Sequence, residues 1–334
     1  MTEEISPQEL QEAIQEITEA TTEDFSKLAK IAGLDVKLDF TEANLSGTDL
    51  TTINFQRADL RNVNLSQSNL GGANLNQAHL SGANLSNATL RNANLSAYLR
   101  GANLSQANLK DASLSKAYLR EANLKNACLR NATLDNANLS RANLKGTDFS
   151  KASLIYANLQ QAELNETQLK GANLNQVDLS NTCLTQVDLS NVKLTMANLS
   201  ESIFDRCDLR NADLSNAYLR NCSLNNVNLS NASLNGCKMS YSDLKETDFS
   251  NANLRNADLS NADLRASDLS SAYLGQTNLS GANLSGADLN DVNLKHTQNV
   301  KNTSFGEGIG ISELMKDNLK QRGAIFDDSS GSSY

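Results

Sequence analysis

Six aspartates, Asp148, Asp188, Asp208, Asp248, Asp268 and Asp288, recur at multiples of twenty residues. If such positions stack, their carboxylates line one face, and mutual repulsion there favours docking of an outside partner. Lys170 and Arg210 neighbour the column, so a simple solvated face is the competing reading. The six aspartates are taken as a candidate protein-binding face. Catalysis has little to work with. His79 and His296 are far apart, each in or beside a solvent-facing position, and no nucleophile elbow, phosphate-binding loop or metal-ligand spacing occurs. Cys128, Cys183, Cys207, Cys222 and Cys237 form an odd set without CxxC spacing, which points to reduced thiols in the cytoplasm. No enzymatic activity, metal or cofactor is expected. Tyr98, Tyr118 and Tyr218 fall on one face, where surface packing accounts for them.

The elements that position these residues follow from one period. Leucine or phenylalanine returns every fifth residue from Phe40 to Leu294, usually with alanine two places before it, as in Ala83-Asn84-Leu85 and Ala282-Asn283-Leu284. A step of five advances an α-helix by about 500°, or about 140° past a full turn, so these leucines would spiral around a helix instead of lining one face. In a straight strand the odd step would send successive leucines to opposite sides. If the chain turns a corner after each quintet, the leucine and the residue two before it both point inward, and positions such as Ser180 face solvent. That pattern describes a solenoid.

The tandem A-[ND]-L-x-x motif resembles the pentapeptide repeat family. The resemblance implies an all-β solenoid, a right-handed quadrilateral β-helix in which four quintets make one square coil. It also implies a protein-binding role, because some relatives act as DNA mimics that occupy a topoisomerase. Such mimicry needs an extended acidic surface in place of phosphates. The net charge of −9 is concentrated elsewhere: residues 1–40 hold ten acids and three bases, while residues 41–295 hold 23 acids and 22 bases. A sum of −1 over the repeats weakens the mimic reading. Nucleic-acid binding is disfavoured as well, since the repeats show no basic stripe with stacking aromatics.

The ends differ from the repeats. Ser6-Pro7-Gln8-Glu9 carries helix-start signals. Leu10, Ala13, Ile14 and Ile17 then form an apolar face, and a second short helix uses Phe25 and Leu28 and stops at Gly33. Leu10, Ile14, Ile17, Phe25 and Leu28 are the expected contacts of an α-helical N-terminal cap, which would shield the open apolar end and unpaired strand edges of a solenoid. After Leu294 the period fails, because Asn299 stands where a leucine would fall. Ser312 starts a short C-terminal helix carrying Leu314, Met315 and Leu319, and Ala324 with Phe326 resembles one isolated quintet. The expected organisation is a cap at 1–33, repeats at 34–295 and a capping segment with a disordered tail at 296–334.

Two irregularities qualify the array. Leu95 and Leu99 are four residues apart, which is read as a local deletion in one corner. Counting across it, the inner alanine site of one face reads Thr48, Ser68, then Thr147, Thr167, Val187, Cys207, Val227, Thr247 and Ser267, while the other three faces keep mostly alanine. Buried hydroxyls need partners, so bonds to neighbouring backbone or to each other are expected. The functional expectation is a non-enzymatic cytoplasmic scaffold or protein-binding rod without a membrane segment, monomeric or weakly dimeric. The alternative is a DNA-mimic inhibitor or protector of a type II topoisomerase acting through the aspartate face.

Overall fold

The computed structural model describes residue 12, residues 40–306 and residues 308–326. The expected N-terminal cap contacts Leu10, Ile14, Ile17, Phe25 and Leu28 lie outside the described residues. Chain contacts divide the protein into two units, Met1–Gln168 and Leu169–Tyr334.

One quintet explains the rest. In Leu85-Ser86-Asn87-Ala88-Thr89, the Leu85 and Asn87 amides donate to Asn103 O and Ser105 O of the following coil at 2.7 and 2.9 Å. The Thr89 amide donates back to Ser68 O of the preceding coil at 2.9 Å, and the Ala88 amide closes the corner on Leu85 O at 3.2 Å. The remaining donor, Ser86 N–H, goes to Oδ1 of Asn84 at 3.1 Å. All five amides are satisfied, as a nearly buried backbone requires. Each residue type follows from this scheme. Leucine and alanine fill the interior, and Leu85 and Ala88 are 0% and 1% exposed. Asparagine or aspartate between them supplies the acceptor that caps the next corner. The second corner residue is left-handed, with φ of 58° at Asn87 and 57° at Asn92, a conformation asparagine tolerates better than most side chains.

Within the first unit, parallel bridges link outward residues one coil apart, from Asn44 with Asn64 to Asp148 with Gln168. The usual separation of twenty residues drops to nineteen for His79 with Tyr98 and Asn84 with Asn103, then recovers at Tyr98 with Tyr118. The deletion is thus absorbed within one corner: Ala97 stays buried, Leu95 and Leu99 stay inside, and the left-handed corner residue is the one lost.

In the second unit the same ladders run from Asn173 with Lys193 onward, and strand β1 (Cys183–Thr185) pairs in parallel with β2 (Ile203–Asp205), Cys183 opposite Ile203. The period does not fail after Leu294, contrary to the sequence expectation. It slips by one residue, so that Asn278 pairs with Asn299, twenty-one residues on. The extra residue is taken up around a 3-10 turn, Leu294–His296. Val300 and Phe305 then occupy inner leucine sites, and bridging continues to Ile309. Ser312 caps helix α1 (Glu313–Gln321) by accepting the Met315 amide. Leu319 is buried, Ile325 pairs with Ser304, and Phe326 stacks on Phe305 with ring centroids 5.2 Å apart. Arg322 ties α1 to the last coil by donating to Leu294 O, Thr297 O and Thr297 Oγ1 at 3.0, 2.7 and 2.8 Å.

Candidate functional site

The quintet scheme assigns the aspartate column its local role. Oδ1 of Asp148 in the first unit accepts the Ser150 amide at 2.9 Å. In the second unit Asp188, Asp208, Asp248, Asp268 and Asp288 accept the amides of Ser190, Arg210, Ser250, Ser270 and Asn290 at 2.8 to 3.0 Å. Asn84 does the same for Ser86 without a charge. The charge is therefore what aspartate adds beyond corner capping. It is unevenly compensated. Arg130 pairs with Asp148 and Arg210 with Asp208, whereas Asp248, Asp268 and Asp288, bridged on consecutive coils, have no ion-pair partner among the described residues.

The near-neutral sum over the repeats conceals a division that the sequence reading did not draw. Residues 41–168 carry twelve bases and nine acids, a net of +3, and residues 169–295 carry ten bases and fourteen acids, a net of −4. The unpaired aspartates thus belong to an acidic unit. The sum of −1 describes only residues 41–295 taken together.

Hydrogen bonds from Arg210, Arg61 and Arg265 are the main reason that the carboxyls of Asp208, Asp59 and Asp263 lie below the ordinary carboxylate range. At Asp148 burial acts most strongly and pushes upward, but bonds from Ser150 and Arg130 together outweigh it. Depressed folded-state values stabilise the fold above the unfolded carboxyl pKa of about 3.9, and that contribution fades as pH falls through the lower folded values. Thermal stability is expected to be flat from neutral pH to about pH 5 and to decline below about pH 4. Melting curves across that range check it, and Arg210→Gln should flatten the decline slightly.

Within each unit the inner hydroxyls expected from the sequence are buried, and their partners are backbone carbonyls. Thr147 and Thr167 donate to Leu124 O and Leu144 O at 2.8 and 3.1 Å, Thr247 to Leu224 O at 2.8 Å, and Ser267 to Leu264 O at 2.8 Å. The sequence reading missed a second polar run in the second unit: Thr182, Ser202, Cys222 and Ser242 hold consecutive alanine sites of another face. Ser202 and Ser242 donate to Leu179 O and Leu219 O at 2.7 and 2.6 Å. Counting by twenty along every face would have revealed them.

Cys207, Cys222 and Cys237 are buried at alanine sites, and burial pushes each thiol up to about 12. Their sulfurs donate to Leu184 O, Leu199 O and Leu214 O. Cys183 is exposed. Since the thiolate is the nucleophile, iodoacetamide at pH 8 should label Cys183 in the native protein and leave those three unmodified until denaturant is added. Peptide mass mapping reads the outcome. His79 lies tilted against Tyr98 and Tyr98 stacks on Tyr118, with centroids 4.8 and 5.1 Å apart. No group of three or more His, Cys, Asp or Glu side chains among the described residues could hold a metal ion, and no helix among them is long and apolar enough to cross a membrane.

A model of pentapeptide repeats in eight copies matches residues 58–96, 97–136, 132–171, 232–270 and 267–298, and one of a pentapeptide repeat region matches 157–234. The chain belongs to the pentapeptide repeat family. Among solved structures it is similar to HetL, a pentapeptide repeat protein involved in heterocyst differentiation regulation from the cyanobacterium Nostoc sp. Strain PCC 7120, at 30% identity over 85% of this chain and 96% of that one, with a TM-score of 0.21. It is also similar to trypsin-treated QnrB1, a plasmid-mediated fluoroquinolone resistance protein, at 18% identity over 65% and 87% of the two chains, with a TM-score of 0.40. Rfr23, a pentapeptide repeat protein from the cyanobacterium Cyanothece 51142, is 24% identical over 46% and 88%, with a TM-score of 0.19. No curated protein matches the sequence.

Proposed function

We propose that this protein is a non-enzymatic scaffold in the cytoplasm whose regular faces bind another protein. One observation carries the reading. In the first unit the outward amides form a ladder that starts at Asn44: the Nδ2 groups of Asn64, Asn84, Asn103 and Asn123 each donate to the preceding coil's asparagine Oδ1 at 2.9 to 3.3 Å. Side chains already held in one conformation lose little entropy on association, so a flat face of this kind is preorganised for a partner. In this reading the coils have the right hand of the family, and residues 1–33 close the open end as a helical cap. Immobilised protein, exposed to native extract, should retain a partner that an Asn84→Asp, Asn103→Asp, Asn123→Asp variant releases, since aspartate keeps each corner acceptor but removes the Nδ2 ladder and adds charge. Equal retention by the variant would remove the asparagine face from the proposal.

A second reading rests on the unpaired aspartates of the acidic unit: the protein presents Asp248, Asp268 and Asp288 to a type II topoisomerase in place of DNA phosphates. Three stacked carboxylates cover little of a phosphate track, so this reading ranks below the first. Purified gyrase should be little affected by the protein. Potent, salt-sensitive inhibition that disappears when the three aspartates become asparagine would reverse the ranking.

A further inference from the structure

Beside the one-residue insertion after Leu294 the bridge ladder of the second unit is interrupted. On the face that carries Tyr273, the ladder reaches Tyr273 from Asn253, and no bridge joins Tyr273 to Asn293. A hollow of about 460 Å³ occupies this place, lined by Arg255, Ser271, Tyr273, Gly275, Asp291 and His296 among others. Its volume falls within the roughly 300–1,000 Å³ typical of small-ligand clefts. Gly275 puts no side chain into it, and the Arg255 side chain passes above, its Nε 3.9 Å from where a Cβ on Gly275 would stand.

Arg255 is the group that defines the chemistry. Its Cζ lies 5.2 Å from the centroid of the Tyr273 ring, a cation–π contact that holds the guanidinium beside the hollow. Its side chain has no ion pair among the described residues, unlike Arg265, which meets Asp263 at 2.7 Å. A guanidinium held over a ring with no carboxylate paired to it suits a planar or tetrahedral oxyanion, held by two parallel charge-assisted bonds. Ser271 and His296 line the same space, and Asp291, a further lining residue, opposes an anion there by its charge.

We propose that this hollow binds a small oxyanion-bearing molecule, a carboxylate or a phosphate, with Arg255 as the principal contact. The full chain is titrated with sodium benzoate and, separately, with inorganic phosphate, while NMR follows the Arg255 Nε–H and His296 ring signals. At least one probe should give a saturable shift with a Kd below about 10 mM. Arg255→Gln should weaken it about tenfold or more, Arg265→Gln should leave it unchanged, and Asp291→Asn should tighten it. Saturation by benzoate alone assigns a carboxylate ligand and by phosphate alone a phosphate; saturation by both supports a general oxyanion site. The proposal is overturned if neither probe saturates, if Arg255→Gln binds as the parent does, or if Asp291→Asn binds more weakly. Arg255 and Asp291 are exposed corner residues, so these variants should fold, and circular dichroism confirms that each does.

Discussion

Replacing Leu174 by aspartate should abolish cooperative folding of the second unit. Leu174 is fully buried, and losing such a side chain removes roughly 1.5 to 3 kcal/mol of apolar burial. The carboxylate would then sit among stacked leucines, where an unpaired polar group costs several kcal/mol more. Because each coil is stabilised chiefly by its neighbours, one uncoupled coil also weakens the coils on both sides of it. The control must be chosen with care. Ser180 reads in the sequence as an outward residue, yet it is only 6% exposed and its hydroxyl donates to Asp178 Oδ1 at 2.7 Å. A Ser180→Asp change would set two carboxylates against each other and is not the neutral substitution that its place in the quintet suggests. Ser200, half-buried at the equivalent corner one coil on, is the better choice. Ser200→Asp should melt within a few degrees of the parent while Leu174→Asp shows no cooperative transition. Similar melting of the two would refute the inward assignment of the leucines.

The sequence made the repeat legible because the two inner positions of a quintet face the same physical demand in every coil. Leu85 and Ala88 can be recognised by burial alone. Asn84 and Asp248 were harder to interpret. Their side chains serve the backbone two residues on, and an acceptor that caps a corner looks, in a string of letters, like any solvated polar residue. The aspartate column therefore stood out by its charge before its structural task was apparent. Sequence counting also treats slips in the period as losses. Across Ser96 and Ala97 the inner sites could be tracked, because a deletion leaves the flanking leucines recognisable. Beyond Leu294 the inserted residue displaced Val300 and Phe305 from their expected numbers, and neither is leucine, so two inner sites went unnoticed. The hollow beside His296 adjoins that insertion, and no feature of His296 itself announces it. The division of charge, by contrast, was present in the composition all along. Summing over both units erased it.

Gly310→Ala should detach the end of the second unit from the last coils while leaving earlier coils folded. Gly310 has φ of 87°, and a Cβ there would stand 2.5 Å from Asn290 N and 2.6 Å from Leu289 C. Those are backbone atoms of the preceding coil, so no side chain can swing aside to relieve the clash. Gly47 isolates the conformational part of the effect, since it has φ of 70° and open space around its Cβ direction. Gly47→Ala should cost about 1 kcal/mol, the usual penalty for a left-handed alanine. At Gly310 the same penalty is joined by a steric one, and together they should reach roughly 3 kcal/mol, in the upper range of single substitutions. The contacts at stake are local. Leu289 N–H donates to Ile309 O at 2.9 Å, Ile309 N–H to Ala287 O at 3.1 Å, and Ser312, the N-cap of α1, stands two residues after Gly310. Amide hydrogen exchange should therefore speed up at Leu289, Ile309 and Leu319 in Gly310→Ala, with protection at Leu189 and Leu209 retained. Uniformly faster exchange throughout the second unit would mean that its coils unfold as one cooperative block, and protection unchanged at Ile309 would mean that the corner at Gly310 can be rebuilt around a side chain.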